Sequence, residues 1–377
     1  MNRLFITGGH LTPALATVAE LQKRGEWQIY FLGRKHSLEG DATLSVEYLT
    51  LKDDRTITFL PITTGRLQRH FTRYTIPSLV KIPFGFLQSL YWLAKYRPSV
   101  VLSFGGYVAI PVVLASFLLS VPVLTHEQTL IPGLSNRIIS FFASKILLSW
   151  PDPGHIFPKN KSLVVGNPLR PEIFQTNKTT NCLAFKKMTN KHHSQVLYIT
   201  GGNQGMQSAN KIIKDALPEL LKTCLVIHSA GVKNFPQMNR FRETLSDDLK
   251  EKYFLFDFIN QNDIGWVLNS ADLIVGRAGA NTVSEIAALG KVAVLIPLPW
   301  SGGGEQSKNA QMLLPFGSTI LPQDKLTPSV LRDEILRVSS DLKNHQKLAA
   351  QAKTLVNYQA ASLIVAEVEK VVQGGTK

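Results

Sequence analysis

At 377 residues the chain is too long for one ordinary core, so two domains are expected. Its 44% hydrophobic and 18% charged residues exclude a disordered chain. A formal charge of +14 calls for an anionic partner: nucleic acid, a membrane surface or a phosphorylated substrate.

In chain order, short apolar runs alternate with longer helical patterns. "RLFIT", "QIYFLG", "TITFLPI", "SVVLSF", "VPVLTHE", "KILLSW" and "LVVG" read as strands in the first half. "QVLYIT", "CLVIH", "YFLFDFI", "ADLIVG" and "VAVLIP" do so in the second. Strands this evenly apolar are buried on both faces, which means parallel sheets covered by helices. The expected class is α/β, with two doubly wound, Rossmann-like domains in tandem.

Met1–Ile6 leads straight into the first strand, so no signal peptide is expected. "IPVVLASFLLSVPVL", Ile110 to Leu124, is shorter than the roughly 18–20 residues that span a bilayer and contains Pro111 and Pro122. It reads as a buried helix running into a buried strand. Gly, Asn and two prolines cluster in "VVGNPLRPEIF", Val164 to Phe174, which places the seam there and gives domains over 1–165 and 166–349. The lysine-rich stretch that follows, with His192 and His193, has no ligands at metal spacing and reads as solvated surface. Cys182 and Cys224 lack CxxC spacing, which argues for a reducing compartment without zinc or disulfides. The tail is amphipathic and helical, its last helix (about 350–377) expected to pack back on the first domain.

Four strands end in glycine: at Thr7–His10, Ser103–Tyr107, Thr200–Gly205 and Gly276–Ala280. In a doubly wound sheet, ligands bind outside the C-terminal ends of the strands. Glycine lets the backbone come close there, and helix N-termini offer N–H groups to phosphate. "TGGNQG" suits a phosphate loop or a plain tight turn, and it is not the GxGxxG fingerprint. Beyond Gly279, Asn281 is placed as an N-cap. Glu285, about one turn further, either complements the helix dipole or accepts ribose hydroxyls. Arg277 at a buried strand end implies an anion nearby. His10 directly after two glycines is a general base or a satisfied loop histidine, with Thr12 and Pro13 as N-cap and first-turn proline of the next helix. Glu127 in "THEQT" orients a substrate hydroxyl or caps a neighbouring helix.

"GGHLTPALA", "SFGGYVAIP", "THEQ", "VGNPLRPEIF", "GGNQG", "FDFIN", "RAGANTVSEIAALG" and "EQSKNAQML" follow one another as in the MurG family. The chain resembles that family over nearly its whole length. The resemblance implies the GT-B fold, two Rossmann-like domains facing a cleft. It also implies an inverting transfer of N-acetylglucosamine from UDP-N-acetylglucosamine to the C4 hydroxyl of the muramoyl sugar of lipid I, a polyprenyl-pyrophosphoryl-muramoyl peptide. The product is lipid II, and neither metal nor cofactor is expected.

Carried over position by position, the resemblance gives Glu285 the ribose and the backbone of Ile259 the uracil. Asn203 and Gln204 face the diphosphate with Arg170 and Arg277. Gln306 and the backbone of Gly279 and Ala280 read the donor sugar. Gly8, Gly9, Gly105, Gly106 and Tyr107 border the acceptor, His10 is the base, and Glu127 is its rival or its orienting partner. The first loop reads "TGGH" where the family reads GGTGGH, so backbone donors are lost there. A UDP-sugar 2-epimerase of the same fold and an idle UDP-sugar-binding protein are the rival readings.

Gly65 to Arg97 interleaves Arg66, Arg69, Arg73 and Lys81 with Phe71, Tyr74, Ile76, Phe84, Phe86, Leu87, Tyr91 and Trp92. That mixture suits an anionic headgroup layer, stacking on nucleic acid, or a core helix with a basic rim. Its position matches the family's membrane-contact patch. The expectation is therefore a peripheral protein at the cytoplasmic face of the membrane, with no nucleic-acid partner.

Overall fold

The computed structural model describes residues 2–25, 27–36, 44–65, 75–152, 154–176, 195–201 and 206–374. The chain forms two compact units: Met1–Arg170 with Asn357–Lys377, and Pro171–Val356. The first carries β1 (Asn2–Thr7), β2 (Trp27–Gly33), β3 (Ile57–Pro61), β4 (Val100–Ser103), β5 (Val123–Glu127), β6 (Lys145–Leu148) and β7 (Ser162–Val164). They lie in the order β3-β2-β1-β4-β5-β6-β7, all parallel. The second unit carries β8 (Gln195–Thr200), β9 (Cys224–Ser229), β10 (Tyr253–Phe256), β11 (Leu273–Gly276), β12 (Val292–Leu295) and β13 (Thr319–Ile320). Their order is β10-β9-β8-β11-β12-β13, again all parallel. Each unit is thus a doubly wound α/β layer structure of the expected class.

The apolar runs have a direct cause. Every residue of β4, β11 and β12 is buried, because helices cover both faces. On one face of the first sheet, Leu4, Ile6 and Phe31 join Ala14, Val18 and Leu21 of helix Leu11–Gln22 in one core. The same core holds Ile364, Val365 and Val368 of helix Ala360–Gly374, which packs beside Leu11–Gln22. On the other face, Phe5, Val101 and Ile146 pack with Val112 and Val113 of helix Ala109–Leu118. Each of the valine, leucine, isoleucine and phenylalanine side chains contributes about 1.5–3 kcal/mol by leaving water. Helix Ala109–Leu118 followed by β5 is the buried helix and strand read from the sequence. Among the described residues, no helix is long and apolar enough to cross a membrane.

Strand order reverses between β1 and β4, and again between β8 and β11. These pairs are direct neighbours, in register at Thr7↔Ser103 and at Thr200↔Gly276. The strand ends that open the four glycine junctions, Thr7, Ser103, Thr200 and Gly276, therefore fall in twos, at the two topological switch points. That is where doubly wound sheets bind ligands.

Two capping expectations are corrected. Helix Leu11–Gln22 starts before Thr12, with His10 as its N-cap, and helix Ala280–Leu289 starts before Asn281, with Gly279 as its N-cap. Gly279 has φ −65° and ψ 150°, so extended backbone turns directly into helix without using further residues. Neither cap supplies a side-chain hydrogen bond to the first turn. Cys182, His192 and His193 lie outside the described residues.

Candidate active site

At the first switch point, two glycine loops interlock. Gly8 has φ +140°, and a Cβ there would stand 2.8 Å from Gly105 O and from the Phe104 carbonyl carbon. The Gly9 N–H donates to Gly105 O at 3.1 Å. Asn136 braces the crossing: its Nδ2 donates to His126 O at 3.2 Å and Glu127 Oε2 at 2.9 Å, while its Oδ1 accepts from Thr125 Oγ1 at 3.0 Å. Gly8→Ala is expected to cost about 1–3 kcal/mol, because that backbone region belongs to glycine and the space is filled. A lowered urea midpoint is the expected readout; an unchanged midpoint would mean that the loops separate without cost.

His10 is half-buried at this point, 2.7 Å from Gln128 through its Nδ1 and the Gln128 Nε2. Burial lowers its pKa, with the Glu127 and Glu47 carboxylates partly opposing the shift. The ring is therefore neutral at physiological pH. Glu127 is the expected base candidate that the local geometry occupies otherwise. Its Oε1 accepts from Thr129 N at 3.0 Å and Thr129 Oγ1 at 2.8 Å, and its Oε2 from Gly133 N at 3.1 Å and Asn136 Nδ2 at 2.9 Å. Gly133 is the N-cap of helix Leu134–Phe142, so the helix-capping alternative describes Glu127 well. Four donors use its lone-pair sites. His126 beside it is buried, held through Nε2 by Gly166 O and Ser149 Oγ, and burial pushes its pKa down to about 4. It is a neutral core residue.

Tyr107 receives a hydrogen bond on its hydroxyl from Arg34 Nη1 at 3.1 Å. Arg34 Nη2 pairs with Glu47 Oε1 at 3.2 Å. Sequence reasoning missed Arg34, Glu47, Gln128 and Asn136. A signal did exist for two of them: Arg34 and Gln128 are the first residues beyond β2 and β5, on the same sheet edge as His10.

At the second switch point, Gly202–Gly205, with Asn203 and Gln204, lies outside the described residues. The β11 side is described. Arg277 is buried and donates through Nη1 to Ile296 O at 3.0 Å, and burial lowers its pKa without removing its charge. Gly279 then opens helix Ala280–Leu289 and, as its N-cap, supplies no side-chain hydrogen bond to the first turn. That is an anion site in form. Glu285 is buried on the same helix, and Ile259 is buried in the loop between β10 and helix Gln261–Ser270. Gln306 Oε1 accepts from Leu298 N at 2.9 Å, and Asn309 Nδ2 donates to Ala278 O at 3.1 Å, fixing the loop from below. Arg170 is half-buried at the end of the first unit's main segment. Among the described residues, no group of three or more His, Cys, Asp and Glu side chains could hold a metal ion.

Residues 7–148 match the glycosyltransferase family 28 N-terminal domain, and residues 196–366 match its C-terminal domain. A Syntrophus aciditrophicus protein is 34% identical over 365 residues, covering 95% of this chain and 94% of its own. It is named UDP-N-acetylglucosamine–N-acetylmuramyl-(pentapeptide) pyrophosphoryl-undecaprenol N-acetylglucosamine transferase. The MurG structure from Acinetobacter baumannii superposes with a TM-score of 0.69 at 24% identity, covering 98% of this chain and 100% of that one. A UDP-GlcNAc 2-epimerase from Neisseria meningitidis reaches 0.67 at 16% identity, covering 98% of this chain and 100% of that one. At these identities the two structures establish the shared fold alone, and the fold does not separate transferase from epimerase.

Proposed function

The chain belongs to glycosyltransferase family 28, among the UDP-N-acetylglucosamine–N-acetylmuramyl-(pentapeptide) pyrophosphoryl-undecaprenol N-acetylglucosamine transferases, and we propose that it carries out the reaction that name describes. N-acetylglucosamine passes from UDP to the C4 hydroxyl of the muramoyl sugar of lipid I, giving lipid II. One observation carries the reading: the two switch points hold complementary chemistry. One presents a neutral, half-buried imidazole; the other presents an uncapped helix N-terminus with a buried arginine and a buried carboxylate. Transfer from a sugar nucleotide to an alcohol needs both a base and a seat for the leaving diphosphate.

In this mechanism His10 takes the proton of the acceptor hydroxyl as its oxygen attacks C1 from the face opposite UDP. The C1–O bond breaks, and its electron pair goes to the β-phosphate. The helix N-terminus at Ala280 and the Arg277 guanidinium hold that charge, joined by Arg170, Asn203 and Gln204. Glu285 takes the ribose hydroxyls, the backbone of Ile259 the uracil, and Gln306 with Gly279 the sugar. Gly8, Gly9, Gly105, Gly106 and Tyr107 border the acceptor. Glu127 holds the loop that carries Gln128.

The lipid tail of that acceptor fits a membrane-facing surface on the first unit. Val80, Phe84, Leu87 and Tyr91 on helix Thr75–Tyr96 follow one another at helical spacing, each between 54% and 70% exposed. Leu93 of the same helix is buried, with Phe86 and Trp92 packed against the core. Phe117, Leu118 and Phe141 are exposed on the two helices that follow. Arg66, Arg69, Phe71, Arg73 and Tyr74 lie outside the described residues. With the net charge of +14, this stripe suits an anionic inner-membrane surface. The Phe84→Asp, Leu87→Asp double variant is expected to bind phosphatidylglycerol vesicles about tenfold or more weakly. Its affinity for UDP should be unchanged. Equal sedimentation with vesicles would rule the stripe out as the contact.

For the reaction itself, a bacterium depleted of its own lipid I transferase is expected to grow on this chain. It should fail on the His10→Ala form. Failure with both forms, while the protein is folded and binds UDP-N-acetylglucosamine, would reject the acceptor assignment.

A further inference from the structure

His10 has two ring nitrogens, and only one can accept the acceptor's proton. Nδ1 faces Gln128 at 2.7 Å, and Nε2 makes no hydrogen bond among the described residues. Nε2 is the nitrogen left for substrate. For it to act as a base, the neutral ring must carry its hydrogen on Nδ1.

We propose that Gln128 is the positioning residue that sets this tautomer, its Oε1 accepting from His10 Nδ1–H while Nε2 takes the proton. The proposal rests on the reading of His10 as the base. Two observations support it. Gln128 is buried with its Nε2 facing Nδ1, and its Oε1 has no hydrogen-bond partner among the described residues, so the amide holds an unused acceptor. A carboxamide offers an acceptor and a donor of nearly equal size, and a turn about its last bond exchanges them.

The second support is the charge that His10 acquires. His10 caps the N-terminus of helix Leu11–Gln22, whose positive dipole end opposes an imidazolium. Once protonated, both ring nitrogens are donors, and a Gln128 N–H pointing at Nδ1 would be repelled. Only Oε1 can face the charged ring. Gln128 neither gains nor loses a proton; the proton moves from the acceptor hydroxyl to Nε2. The charged and titratable groups around the ring are Glu127 at the end of β5, Glu47 on helix Val46–Leu51, and His126 on β5. Arg34 is paired to Glu47.

The test combines selective nitrogen-15 labelling of histidine with transfer kinetics. In the wild-type protein, the His10 resonances, assigned by their loss in His10→Ala, are expected to show a protonated Nδ1 and a bare Nε2. Gln128→Leu should shift the ring toward the Nε2–H form and lower kcat about tenfold or more, with KM for UDP-N-acetylglucosamine unchanged. Gln128→Glu keeps an acceptor at that place, so it should retain transfer and move the acid limb of the pH profile upward. A wild-type ring protonated on Nε2, or wild-type kcat in Gln128→Leu, would overturn the proposal. Normal transfer by His10→Ala would overturn the base reading beneath it, whatever the tautomer.

Discussion

His10→Ala is expected to lower kcat by about 10²–10⁴-fold, the range that a positioned general base contributes. UDP-N-acetylglucosamine should bind the variant as it binds the wild type, because the groups assigned to the donor, Arg170 excepted, stand in the other compact unit. The fold should tolerate the change, since the ring is half-buried and its described hydrogen bond is to Gln128.

The pH profile makes this sharper. A base works in its neutral form, so kcat rises with pH through the His10 pKa and is full above it. Burial lowers that pKa, so the acid limb should lie below about 6.5, the ordinary histidine value. In His10→Ala the limb should vanish from the residual rate. An unchanged kcat, or an acid limb that survives the substitution, would place the base elsewhere.

Glu285→Ala is expected to weaken binding of UDP by about tenfold or more. The residue is buried on the helix that Gly279 opens, beyond its first turn, on the unit that carries Arg277. Each hydrogen bond to a charged group contributes about 1.5–3 kcal/mol, and two ribose hydroxyls can reach one carboxylate. About 1.4 kcal/mol is a factor of ten in affinity. The effect should be the same for UDP and for UDP-N-acetylglucosamine, because the contact is to ribose. Calorimetry reads both. An equal Kd for UDP in wild type and variant would move the ribose site off this helix.

Much of this layout was legible in the sequence. Parallel strands buried on both faces leave evenly apolar runs, and glycine marks where backbone crosses backbone, as at Gly8 against Gly105. Neither signal depends on distant residues. β13 escaped because two residues leave no apolar run to read. The helix starts were misplaced because His10 and Gly279 turn the chain by backbone conformation and supply no capping oxygen of their own.

The polar network around His10 escaped for another reason. Gln128 lies 118 residues from His10 in sequence, and Tyr107 lies 73 from Arg34. Spacing cannot report such contacts; only strand order brings them to one sheet edge. For Glu127 the sequence left two roles open, and the difference between them is where four hydrogen bonds come from. Along Thr75–Tyr96 the sequence listed aromatic residues of both faces together. The fold separates them: Phe84, Leu87 and Tyr91 are exposed, whereas Phe86 and Trp92 pack on the core.

The most direct test of the central claim is transfer of labelled N-acetylglucosamine from UDP to a short-chain lipid I analogue, in detergent, with a metal chelator present. The account predicts a labelled disaccharide product, with UDP released in equal amount and no reaction of UDP-N-acetylglucosamine alone. Binding of the donor without transfer, or its conversion to an epimer in the absence of acceptor, would contradict it.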